Sequence, residues 1–156
     1  CDWSSDVCSS DLTKEKSEFL ASYSNGSIGK AIQYSKDESF LSIRDEVIEI
    51  VNKVISGSEL ELFNSLSFFE ENQDRWDEIL DIILFWFRDL YIYKETGNRD
   101  LIINTDKLEL LSSQTNLSNE KINDIIKNVL VTKDNILKKI NYQLSIESML
   151  LKMQEE

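Results

Sequence analysis

Carboxylates are the side chains of this sequence with the most chemistry to offer. The chain holds 29 Asp and Glu against 17 Lys and Arg, has no His, and carries a net charge of −12. Adjacent acids occur at Glu70-Glu71 and Asp77-Glu78, a pattern that can hold a divalent cation or share a proton in acid–base work. Both pairs lie between apolar positions, however, and read as the solvated face of a helix. Histidine, the commonest general base, is missing. The two cysteines, Cys1 and Cys8, fall within the first twelve residues, so the rest of the chain offers neither a thiolate nucleophile nor a structural zinc site. No G-x-x-x-x-G-K-[ST] phosphate loop occurs. These residues point to no catalytic set, no metal and no cofactor.

Partners are narrowed in the same way. Phosphate neutralisation needs clustered Lys and Arg, so the acidic balance argues against a main nucleic-acid contact on this surface. No apolar run approaches the ~18 residues that cross a bilayer. Without disulfide chemistry the simplest compartment is the cytoplasm.

The elements follow from apolar spacing that is helical almost throughout, and the fold class is all-α, a helical bundle. Phe19, Leu20 and Tyr23 share one face of a short helix over 13–24. Asn25-Gly26 breaks it, and Ser27 can cap a second, IGKAIQYS. After a polar hinge at 36–39, Phe40, Val47, Ile50, Val51 and Val54 form a stripe that Gly57 closes as a residue just past the helix end. Ser58 and Glu61 have capping-box spacing. WDEILDIILFWFRDLYIY (76–93) is apolar nearly all round between Ile82 and Phe87, which predicts the central helix of the bundle. Gly97 ends it. Thr105 can cap DKLELL, and Ser118 can cap NEKINDIIKNVLV with Leu117 as a staple. A last helix is expected over 134–153. The only strand-like run is DLIIN (100–104).

Residues 2–12, DWSSDVCSSDL, match in every position the in-frame translation of a standard sequencing-library adapter. Residues 1–12 are therefore expected to be an artefact with no role, and residues 13–156 the C-terminal part of a longer protein. Alanine occurs only at Ala21 and Ala31, while Ile, Asn and Lys abound. That mixture suits a low-GC bacterial genome more than it suits helix propensity.

Three local patterns carry a family resemblance. SNGSIGKAI (24–32), with Gly26, Ser27, Gly29 and Ala31, resembles the sensor-2 region in the lid of clamp-loader AAA+ proteins. ATP-hydrolysing members commonly place an arginine where Gly29 stands. The glycine version is similar to the delta-prime subunit of the bacterial DNA polymerase III clamp loader, which does not hydrolyse ATP. FWFRDLYIYKETG (85–97), with Arg88 and Asp89 and followed by Asn104 and Asp106, resembles the delta-prime C-terminal domain. NYQLSIESMLLKM (141–153) resembles the end of a collar domain through Asn141, Leu144, Ile146, Glu147, Leu150 and Leu151. Lys139 stands where the family often has Asn, and Tyr142 where it often has Pro.

The resemblance implies that 13–36 is the end of an AAA+ lid and 39–156 a helical collar that holds the loader ring together. Implied partners are the delta and tau/gamma subunits in a hetero-pentamer, with the sliding clamp and DNA reached only through the complex. The function implied is non-catalytic, in sliding-clamp loading onto primed DNA during replication. Two other readings are a fragment of an ATP-hydrolysing tau/gamma-type motor, against which Gly29 argues, and a stand-alone acidic helical adaptor. For the collar, Ile136, Ile140 and Leu144 are expected to face the bundle. Ile146, Met149 and Met153 follow a different face and are the candidate interface with neighbouring subunits.

Overall fold

A computed structural model of the chain describes residues 14–24, 27–57 and 59–154, with backbone alone for Lys14, Glu15, Lys16, Glu18 and Glu59. The adapter-like residues 1–12, together with Gly26 and Ser58, lie outside the described residues. Eight α-helices occur among the described residues and no strand: α1 Lys14–Tyr23, α2 Ile28–Lys36, α3 Phe40–Ser56, α4 Glu59–Glu71, α5 Trp76–Thr96, α6 Leu108–Ser113, α7 Asn119–Leu137 and α8 Tyr142–Gln154. The chain divides into two compact units, residues 1–40 and 41–156.

In the first unit an aromatic cluster does the packing. Phe19 and Tyr23, one turn apart on α1, have ring centroids 4.7 Å apart. Tyr23 meets Phe40 edge-on at 5.6 Å, and Tyr34 of α2 stacks on Phe40 at 4.4 Å. Ser27 caps α2 as its type and position predict, its hydroxyl accepting from Lys30 N–H at 3.4 Å.

The second unit is built around α5. Ile79, Leu80, Ile82, Ile83, Trp86, Phe87 and Leu90 are all buried, as an apolar surface on nearly every side of a helix requires. Each such side chain contributes roughly 1.5–3 kcal/mol when fully buried. α7 packs on α5 through Ile122, Ile125 and Val129, and α8 packs on both α7 and α4. Gly97 ends α5 in the left-handed conformation, φ 63°, its N–H closing on the Tyr93 carbonyl at 2.9 Å. Gly57 works differently: its φ is not positive, and a Cβ there would collide with the Lys53 carbonyl and the Glu61 carboxylate. Close approach, not a left-handed turn, requires glycine at that position.

Three elements depart from the sequence expectation. DLIIN is no strand but a 3-10 turn, Arg99–Leu101, running into an extended link. α6 begins at Leu108, after a 3-10 turn Thr105–Lys107, so Thr105 does not cap it. Residues 134–153 are not one helix. α7, capped by Ser118 as expected, continues to Leu137, and α8 starts afresh at Tyr142.

Candidate functional site

Segments distant in sequence meet around one carboxylate. Asp89, on the inner face of α5, is fully buried. Ile103 N–H donates to its Oδ1 at 3.1 Å and its Oδ2 at 3.0 Å, and the Asn104 backbone N–H and Nδ2 each donate to Oδ2 at 2.8 Å. Arg88 Nη1 adds a bond to Oδ1 at 2.9 Å and another to the Leu101 carbonyl at 3.4 Å. The chain reaches this point because Gly97 stops α5 and Asn98 starts the next turn, its side chain accepting from Asp100 N–H at 2.9 Å. Ile102 then buries itself, which turns the following two amides toward Asp89.

The same link is held from its other end by α3. Arg44, 3 % exposed, puts both terminal guanidinium nitrogens on Asp106, Nη1 to Oδ1 at 3.0 Å and Nη2 to Oδ2 at 2.5 Å. Its Nε and Nη2 also reach Asp45 Oδ1 at 3.0 and 2.7 Å. Lys107 joins through Asp45 Oδ2 at 3.2 Å. Burial works against the Arg44 charge, but the bonds and charges of Asp106 and Asp45 outweigh it and hold its pKa above the ordinary arginine value. A planar fork meeting a carboxylate bidentately is the arrangement in which arginine is hardest to replace.

The carboxylate at the centre of this constellation is closed off. Both Asp89 oxygens are filled by donors and closed to solvent, so the carboxylate can neither take a proton from a substrate nor hold a cation. It is a latch that fixes residues 102–107 against α5 and α3. Of the residues that carry the family resemblance, Asp89 thus gathers Arg88 and Asn104, whereas Asp106 pairs with Arg44 instead. Arg44 was missed, although a signal existed: it lies on the same stripe as Phe40, Ile48 and Val51, an arginine where an apolar residue belongs.

The acid pairs resolve separately. Glu70 and Glu71 are exposed, as a solvated face would be. Asp77 and Glu78 are not: both are half-buried and ion-paired, Asp77 with Lys133 at 2.7 Å and Glu78 with Arg75 at 2.6 Å. No group of acids that could hold a metal occurs among the described residues, and no described helix is long and apolar enough to cross a membrane.

The C-terminal motif forms a turn with a complete set of bonds. Lys139 adopts φ 60°, Ile140 N–H donates to the Asn135 carbonyl at 2.9 Å and Lys139 N–H to the Ile136 carbonyl at 2.9 Å, the paired bonds of a Schellman ending. Asn141 then caps α8, its Oδ1 accepting from Leu144 N–H at 2.9 Å. Tyr142 is the first helical residue, and its hydroxyl donates to the Phe69 carbonyl at 2.9 Å. Glu147 accepts from Gln143 Nε2 at 3.2 Å on the surface.

The interface expectation is corrected here. Ile146, Met149 and Met153 are buried, at most 1 % exposed, and face the bundle. Ile140 and Leu144, expected inside, are 46 % and 61 % exposed. The physical reason is the break at 138–141: Ile136, Ile140 and Leu144 share a stripe only if the helix is continuous. In the N-terminal motif, Gly29 lies exposed in the first turn of α2 and Ala31 is half-buried, its N–H donating to the Ser27 carbonyl at 3.0 Å.

Comparison with known proteins agrees with this helical bundle. The sequence profile of the family described as "DNA polymerase III, delta subunit, C terminal" matches residues 38–155. Neither the curated proteins nor the solved structures gave a match. The match covers most of the chain and the whole of the bundle around α5, which sets aside an adaptor unrelated to replication. This chain belongs to the family of the C-terminal domain of the DNA polymerase III delta subunit, and its helical domain is that of a clamp-loader-related protein in DNA replication.

Proposed function

We propose that this chain is a non-catalytic, delta-prime-like clamp-loader subunit. Its helical domain, residues 39–156, acts as a collar that joins it to delta and tau/gamma subunits in a hetero-pentamer. Residues 13–36 are the end of an AAA+ lid, and the sliding clamp and primed DNA are engaged only through the assembled complex. The observation that carries the delta-prime reading is Gly29. A Cβ there would meet nothing closer than Ser27 Oγ at 3.9 Å, so close approach does not require glycine. A glycine inside a helix costs about 0.5–1 kcal/mol relative to alanine. Neither packing nor backbone asks for glycine, which suits a position with no nucleotide to reach.

The test is reconstitution with the delta and tau/gamma subunits of the same source. Co-elution as one complex is expected, and calorimetry of this chain with ATP and magnesium is expected to show no saturable heat. Micromolar ATP binding would move the reading to a tau/gamma-type motor. Failure to co-elute would overturn the collar role.

A further inference from the structure

The latch has two ends, and they stand on different helices. Arg44 of α3 holds Asp106, and Asp89 of α5 holds Ile103 and Asn104. Thr105 alone separates Asn104 from Asp106, and across it the Lys107 N–H closes on the Asn104 carbonyl at 3.0 Å. A piece of chain this short has no slack. The few φ and ψ angles that aim Asp106 at Arg44 also aim the Asn104 amides at Asp89.

α3 and α5 are otherwise loosely joined. α5 packs closely on α7 and α6, and α8 on α7 and α4, whereas among the described residues the backbone of α3 follows no other helix over such a length. An open groove of about 830 Å³ lies between α3 and α6, with Ile48 and Asn52 on one side and Leu110 and Leu117 on the other. Val47, Val51 and Val54 bury themselves, but apolar burial is non-directional and does not fix where along its axis a helix sits. Directional bonds do that, and two bridges supply them. One runs from Trp86 Nε1 to Gln114 Oε1 at 3.2 Å and on from Gln114 Nε2 to Asn52 Oδ1. The other is the segment 102–107.

Each end of that segment also has a counter-ion on its own helix. Arg44 is bonded to Asp45, and Asp89 to Arg88. When the segment lets go, neither buried charge is left bare, which is the outcome that makes a broken buried pair most costly. Asp106 is half-exposed and returns to water.

We infer that residues 102–107 form a two-state strap between α3 and α5, shut at both ends or released at both, through which a displacement of α3 reaches α5. Release must break all the bonds together, so the resting strap is shut. Whatever loosens one end loosens the other, and the coupling is reciprocal. The strap is a property of the domain by itself and does not depend on which subunit the chain is.

A double-mutant cycle between Asp106→Ala and Asp89→Ala, read by urea denaturation of the full chain, tests it. In the wild-type background Asp106→Ala is expected to lower the folding equilibrium constant about tenfold or more, as for loss of a charge-assisted pair. In the Asp89→Ala background, where the strap is already released, the same substitution should change it by less than about twofold. An equal factor in both backgrounds means that the ends act separately and overturns the strap, as does no effect in the wild-type background. Native-state trypsin cleavage decides the matter without Asp89→Ala, should that variant not fold, because cleavage follows the population of the open form. In Asp106→Ala the bonds after Arg99 and Lys107, on either side of the strap, should be cut faster by one common factor of about ten, with the bond after Lys127 in α7 cut at the wild-type rate. Acceleration after Lys107 alone, or no acceleration at either bond, overturns the strap. Equal acceleration after Lys127 overturns it too, since the whole domain has then been loosened.

Discussion

Burial pushes the Asp89 carboxyl above the usual carboxylate range, while donors from Asn104 and Ile103 and the Arg88 charge pull the other way without fully offsetting it. With the folded pKa raised, the folded state binds the proton more tightly than the unfolded chain. The ionised group therefore detracts from stability as pH rises through the folded value. Removing it is nevertheless expected to be worse than keeping it, because two backbone amides and the Asn104 amide would lose their acceptor. Asp89→Ala is predicted to lower the unfolding free energy by about 2–4 kcal/mol, measured by urea denaturation, since each orphaned buried donor costs roughly 1–3 kcal/mol and such costs are not additive. A change under ~0.5 kcal/mol would mean that water takes over the bonds. Tyr142 is the simpler case: burial pushes its hydroxyl up to about 12. The neutral phenol donates to Phe69, so its contribution is complete below the unfolded value of about 10 and is lost as pH rises through the folded value. Absorbance titration should show a late phenol component that Tyr142→Phe removes, and the variant's stability should fall less than the wild type's above about pH 10.

Helix existence and type were legible wherever apolar residues keep one period over three or more turns, as in α3, α5 and α7. What was not legible was the phase of α8. Four residues outside the helices, 138–141, rotate every later position, and no glycine or proline marks the break; a lysine occupies the left-handed position and Tyr142 the first helical one, where the related family often has Asn and Pro. Asparagine suits a positive φ and proline suits a helix start, so the substituted residues conceal the turn that they form. The face of α8 is therefore core. Ile146→Asp with Met149→Asp is predicted to abolish cooperative unfolding and much of the helical circular dichroism, because two carboxylates would be placed at positions that are 1 % and 0 % exposed. A double mutant that folds like the wild type would reverse this assignment. The latch was half legible. Arg88, Asp89, Asn104 and Asp106 were visible as one pattern, but a single arginine on an apolar stripe gives no hint of which acid, 62 positions away, will receive it.

At the scale of the molecule, the acidic composition argued against a basic DNA-binding stripe but did not reveal that residues 119–154, the α7–α8 hairpin, carry six lysines against four carboxylates. Charge totals average over elements, and the asymmetry emerges only once the elements are bounded. The bundle's family was legible because its motifs lie where chain direction is decided: at the latch after α5 and at the turn before α8. The latch carries one more consequence, for hydrogen exchange. Ile103 and Asn104 lie outside any helix, in a link that by its secondary structure alone would exchange its amide protons quickly. Their N–H groups are instead bonded to a fully buried side chain of the central helix. Deuterium can reach them only when Asp89 is freed, so these two amides should exchange as slowly as those in the middle of α5, and in Asp89→Ala they should become as fast as the rest of the link.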